Sequence, residues 1–227
     1  MNVEALIDWP SAAIVLGGTA IATMLRSGRA DVLACAQLIQ GLCRPAFRLH
    51  KERAWLAPAV AALQHSGIYR ARLPVHPDRD LKAALTALVR HRSLAAMTAA
   101  HRQSCLRRLD VRQRALQLLH QGSEMAPVFG LAGTLVALSQ PHGTATSSSA
   151  MTAAVAAAVL TTLYGLVLAH LVLVPLARMI ERRQEREEAA REALIGWLLE
   201  QLRDTVLEPA SSAGRAKIVA APLDRAA

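Results

Sequence analysis

The stretch SEMAPVFGLAGTLVAL, Ser123 to Leu138, carries no charge after Glu124. It has a proline near its start, two glycines three residues apart and a threonine in its middle. Its apolar part, Met125 to Leu138, would rise roughly 21 Å as a helix, short of the ~30 Å hydrocarbon core of a bilayer. Hydropathy alone therefore does not make it a span, and its flanks decide the reading.

Two longer apolar tracts bracket it. WPSAAIVLGGTAIATML, Trp9 to Leu25, places Trp9 where an interfacial anchor would sit and ends abruptly at Arg26. AMTAAVAAAVLTTLYGLVLAHLVLVPLA, Ala150 to Ala177, contains no Asp, Glu, Lys or Arg and is long enough to cross a bilayer with tilt. Between the second and third tracts lies SQPHGTATSSS, an uncharged segment rich in turn-forming residues.

Charge orients these tracts. The 227 residues are 53% hydrophobic and only 19% charged, with a net charge of +9 and a mean hydropathy of +0.26. All 26 Lys and Arg lie between Arg26 and Ser123 or after Ala177. A nucleic-acid-binding chain has no reason to keep long apolar tracts free of base. A membrane protein obeying the positive-inside rule does. With the N-terminus outside, three crossings put every basic residue on the cytoplasmic side, and that requirement makes the short second tract a span.

The expected architecture is thus an all-α integral membrane protein with three transmembrane helices, a cytoplasmic helical segment and a cytoplasmic C-terminal helix. The spans fall at residues 1–25, 123–140 and 150–177, with a periplasmic loop at 141–149. The cytoplasmic parts are 26–122 and 178–227, and the tail from Pro209, rich in Ala and Ser, is expected to be disordered. In the first cytoplasmic part, ADVLACAQLIQGLCRPAF reads as an amphipathic helix stopping before Pro45, and YRARLPVHPDRD as a loop. The run from Asp80 to Met125 is helix-compatible almost throughout and continues into the second tract. After Ala177, acid and base alternate at helical spacing toward an apolar end formed by Leu194, Trp197, Leu198 and Leu202.

Several chemistries lack their residues. No phosphate-binding glycine motif occurs, and no HExxH or paired Cys/His spacing suggests a metal. Cys35, Cys43 and Cys105 read as reduced cytosolic thiols. No nucleophile–base pair can be named, so neither an enzyme nor a cofactor is expected. Gly17, Gly18, Gly130, Gly133 and Gly165 read as small residues that let helices approach closely. Thr134, Thr161 and Thr162 either bond back to their own helix carbonyls or line a polar path. His170 reads as a neutral, hydrogen-bonded residue near the inner end of its span. Pro127 and Pro175 each remove a backbone N–H near the inner ends of two helices, which permits a hinge.

SEMAPVFGLAGTLVAL followed by AVLTTLYGLVLAHLVLVPLA resembles the third and fourth transmembrane helices of the MotA/TolQ/ExbB proton-channel family. IDWPSAAIVLGGTAIATML is similar to that family's second helix, and IVLGGT with LTTLYG places the likeness on the MotA branch of flagellar stator subunits. Only six residues precede the motif of the second helix. A mis-assigned start and a three-span relative both account for that.

The resemblance implies a subunit of the bacterial inner membrane that self-associates, as a pentamer, around a MotB-like single-span partner bearing a membrane aspartate. It implies coupling to a flagellar rotor protein, with Thr134, Thr161, Thr162 and Tyr164 lining the ion path. ExbB/TolQ-like energy coupling and a non-conducting membrane scaffold are the alternatives. Arg79, Asp80, Lys82 and Arg90 fall where such a protein would meet a rotor, but a solvated charged face is the expected reading for them.

Overall fold

The computed structural model describes residues 9–66, 78–139 and 148–207. The described residues are helical, without strands. The elements are α1 (Trp9–Arg26), α2 (Arg29–Leu42), α3 (Leu49–Ser66), α4 (Arg79–His91), α5 (Leu94–Ser139), α6 (Ser148–Val167), a π-helical segment (Leu168–Leu173) and α7 (Val174–Leu207). The 69–77 part of the expected loop, residues 140–147 of the turn between the second and third tracts and the tail from Pro209 lie outside the described residues, and the last two positions of the expected periplasmic loop already belong to α6. Among the described residues one helix, Met151–Arg203, is long and apolar enough to cross a membrane by length and composition. At 18 residues, α1 must count Trp9, Pro10, Ser11 and Arg26 toward any such span.

The chain divides into two compact units. The first comprises residues up to Pro45 and Leu109–Glu185, the second Ala46–Arg108 and the chain from Arg186. In the first unit α1 packs against α6. Its cluster of Ala34, Cys35, Ala115, Leu119, Ala177 and Ile180 draws on α2, α5 and α7. Arg183 anchors the end of α2, donating to the carbonyls of Leu42 (2.7 Å) and Arg44 (2.5 Å). These carbonyls have no partner further along their own helix.

The second unit has an ordinary aliphatic core. Leu56, Leu63, Leu88, Met97, Leu194, Leu198 and Leu202 are almost fully enclosed, so the expected apolar end of the last helix is a core face. Asp78 caps α4, its carboxylate accepting from the N–H groups of Asp80 and Leu81.

The run from Asp80 is not one helix. It breaks at Arg92, which adopts left-handed φ 51°, ψ 35°, and restarts at Leu94. That conformation usually falls to glycine or asparagine at a helix end, and RHRS offers neither. The rest of the expectation holds: α5 runs unbroken from Leu94 through Pro127 to Ser139.

Candidate functional site

Two helices of the first unit meet along a seam of small residues. A Cβ at Gly165 would lie 2.7 Å from the carbonyl oxygen of Ala126 and 3.1 Å from the Cα of Gly130. One at Gly130 would lie 3.1 Å from the Thr161 carbonyl oxygen, and one at Gly133 3.1 Å from the Thr161 Cβ. Backbone thus faces backbone, an approach open only to residues without side chains. Gly18 of α1 accommodates the Phe129 ring, whose nearest carbon would be 2.4 Å from an added Cβ. Gly17 differs, since no heavy atom lies within 4 Å of its Cβ position.

The hydroxyls of the seam turn inward on their own helices. Thr161 is 1% exposed and donates to the Ala158 carbonyl at 2.8 Å, while Thr162 donates to the same carbonyl at 3.2 Å. Thr134, half-buried, donates to the Leu131 carbonyl at 2.6 Å. Each hydroxyl proton is occupied, and the oxygen's remaining lone pairs are left as acceptors. Tyr164 is half-buried on the same helix, and His170 is exposed.

The two prolines act differently. α5 passes through Pro127 as an α-helix. Ahead of Pro175 the ladder widens into the π segment, and Val174 N–H donates to the Ala169 carbonyl five residues back. Pro175 has no N–H to give, and in an α-helix its ring would press on the Leu171 carbonyl. A wider turn in front of it relieves both problems, and such turns recur at functional sites. The sequence marks the proline but gives no sign of the π turn.

In the second unit an ion-pair cluster joins α4, α5 and α7. Arg108 lies 2.5 Å from Asp80 and 2.7 Å from Glu188, and Arg107 also pairs with Asp80. Asp80 therefore departs from the expected solvated face: its side chain is 14% exposed. Arg79, Lys82 and Arg90 are exposed as expected. Burial works against the charge on Glu188, but the Arg108 guanidinium outweighs it and holds the carboxyl below its usual range. For Asp78, burial is likewise overcome, here chiefly by Arg191 at 3.1 Å. His101 sits lower than an ordinary imidazole, first through burial and then through Arg108. Sequence spacing alone could not pair residues eighty positions apart.

Close glycine seams, back-bonded hydroxyls and large exposed aliphatic residues on α1, α5 and α6 define an all-α membrane protein. A family model, described as the MotA/TolQ/ExbB proton channel family, matches residues 75–193. The chain belongs to that family.

Motility protein A of Borreliella burgdorferi is 34% identical over 77 residues, 34% of this chain and 30% of that relative. Motility protein A of Cereibacter sphaeroides is 24% identical over 199 residues, 87% of this chain and 78% of that relative. Among solved structures, the flagellar MotAB stator complex from Bacillus subtilis matches with a TM-score of 0.75 at 19% identity, covering 97% of this chain and 91% of that one. C. jejuni MotAB matches with a TM-score of 0.77 at 18% identity, covering 90% and 84%. The fold is shared with both.

Proposed function

We propose that this chain is the stator subunit of an ion-driven flagellar motor, self-assembled around a single-span, MotB-like partner in the bacterial inner membrane. One solved structure that shares this fold is a flagellar MotAB stator complex and the other is a MotAB structure. In this reading α1, the end of α5, and α6 with the π segment are three spans. The N-terminus lies outside and both basic segments lie in the cytoplasm. Arg79, Lys82 and Arg90, exposed on α4, are available to a rotor protein.

One observation carries the mechanism. The apolar parts of these helices hold no Asp or Glu, while Thr134, Thr161 and Thr162 each commit their proton to a helix carbonyl. Such a wall cannot carry a proton by its own carboxylate. It offers acceptor oxygens to an acid supplied by the partner, with no fixed charge to trap the ion in a permanent pair. Pro175 and its π turn supply a compliant joint at the inner end of that wall, whereas Pro127, which α5 passes without a break, only weakens its helix by one missing N–H.

The test is co-expression with the partner subunit and measurement of ion flux and torque. Thr134→Val and Thr162→Val should lower both without lowering membrane abundance, and the Ser variants, which keep the acceptor, should restore them. No flux from the wild type with its partner would favour a non-conducting scaffold, and unchanged flux in both Val variants would leave these threonines as packing residues. Flux without motility would favour energy coupling of the ExbB/TolQ kind.

A further inference from the structure

A cleft of about 520 Å³ lies between α4 and α5, wholly within the second unit. Helical spacing of three and four residues builds both of its walls. Arg79, Asp80 and Ala83 line it from α4, and Ala100, Gln103, Ser104 and Arg107 from α5. That volume is in the range of small-molecule sites, ~300–1,000 Å³. The two alanines leave open the space that larger side chains would fill.

The polar groups of this cleft are one-sided. Arg79 is exposed, and neither it, Gln103 nor Ser104 makes a hydrogen bond or ion pair with another described residue. Arg107, its side chain 55% exposed, donates one N–H to Asp80 and keeps the rest of its guanidinium donors. Asp80 is the cleft's one carboxylate, and both of its oxygens already accept from guanidinium groups, one from Arg107 and one from Arg108. Around it the guanidiniums of Arg79, Arg107 and Arg108 stand against the carboxylates of Asp80 and Glu188. Three against two leaves a surplus of one positive charge.

A single arginine at a surface needs no ligand. Here two guanidiniums, a hydroxyl and an amide converge on one concave space. Those donors outnumber what the oxygens of a carboxylate accept, whereas the terminal oxygens of a phosphate accommodate them, and the arginine fork matches phosphate geometry.

We propose that this cleft binds a small phosphate ester. Its phosphate lies between Arg79 and Arg107, and Ser104 and Gln103 donate to the remaining oxygens. The organic part covers Ala83 and Ala100 and stacks on the flat guanidinium faces, which suits an aromatic ring. Orthophosphate would meet the same donors but leave the alanines uncovered. No lining residue belongs to the first unit, so the site does not depend on the ion path.

The test uses the full chain purified in detergent, with phenyl phosphate as the probe and the width of its phosphorus NMR line as the readout. Salt is held at about 0.15 M, where the Debye length is ~8 Å and loose attraction to surface cations is screened. The wild type should broaden the line, and inorganic phosphate should compete about tenfold more weakly than unlabelled ester. Arg79→Gln should weaken binding about tenfold and Ser104→Ala about threefold. Ala83→Phe, at an exposed position, fills the cleft and should abolish binding. Arg102→Gln removes an exposed cation of α5 outside the cleft and should leave binding unchanged.

A wild type that leaves the line sharp overturns the proposal, as does an Ala83→Phe protein that still binds. Equal losses from Arg79→Gln and Arg102→Gln overturn it as well, because they mark a charged surface and not a site. Inorganic phosphate that binds as tightly as phenyl phosphate refutes the ester.

Discussion

The two units of this chain follow opposite rules of burial. In the second, nearly every fully enclosed side chain is a large aliphatic one, such as Leu56, Leu88 and Leu198, and charge lies outside or in paired clusters. In the first, the buried polar residues Ser11, Thr19, Thr23 and Thr161 occupy the interior, while Leu135 and Leu171 are 70% exposed. Water drives the second arrangement, because removing aliphatic surface from it is favourable. In lipid that drive vanishes, and stability comes from close backbone contact instead. A leucine is thus core material in one unit and outer coating in the other.

The sharpest way to break this contrast is to put bulk into the glycine seam. Gly165→Leu would drive a side chain into the Ala126 carbonyl, which is backbone and cannot swing aside. It should cost upward of ~3 kcal/mol, the top of the overpacking range, and the chain should be lost from the monodisperse fraction in detergent size-exclusion. Gly17→Leu, where open space surrounds the Cβ position, should be recovered normally.

Aliphatic truncation should sort the units next. Leu88→Ala, at 0% exposure in the second unit, should destabilise by ~3 kcal/mol in denaturant titration. Leu135→Ala, at 70% exposure in the first, should change stability by less than ~0.5 kcal/mol. A comparable loss at Leu135 would mean that water, not lipid, surrounds that face.

Charge gives a smaller effect, confined to the second unit. Arg108→Met strands the carboxylates of Asp80 and Glu188 and should cost ~2 kcal/mol, measured by the unfolding of the unit's own Trp197. The same unit should weaken on acidification. His101 is depressed, so the unfolded chain protonates first and stability falls as pH drops below ~6.5. Glu188 and Asp78 are also depressed. Their contribution is present above ~4 and is lost as pH falls through their folded values. Arg108→Met should flatten the lower step.

Much of this was legible in the sequence because membrane helices announce themselves by composition. The apolar tracts, the glycines of the α5–α6 seam and the continuous helix from Leu94 to Ser139 all follow from residue type and period. What stayed hidden depends on distance along the chain or on backbone geometry. Arg108 and Glu188 meet across eighty residues, and nothing local in Asp80 tells a paired carboxylate from a solvated one. The break at Arg92 lacks the glycine that usually marks it. Thr19 reads like Thr23, and only packing shows that the Thr23 hydroxyl is satisfied by the Thr19 carbonyl while the Thr19 hydroxyl has no partner among the described residues.

The π segment at Leu168–Leu173 bears on how relatives should be compared. An i→i+5 turn absorbs one residue more than the α-helix around it, so it acts as a built-in insertion. Each α-helical residue turns the chain by about 100°. Deleting one residue within it, such as Val172, would let the stretch close to plain α-helix with Ala177 and Ile180 still facing the cluster they now fill, whereas the same deletion in the α-helix beyond it would swing every later residue round by that angle. Where a homologue runs as plain α-helix through this stretch, a gapless alignment would pair correct faces on one side of the π turn and wrong faces on the other.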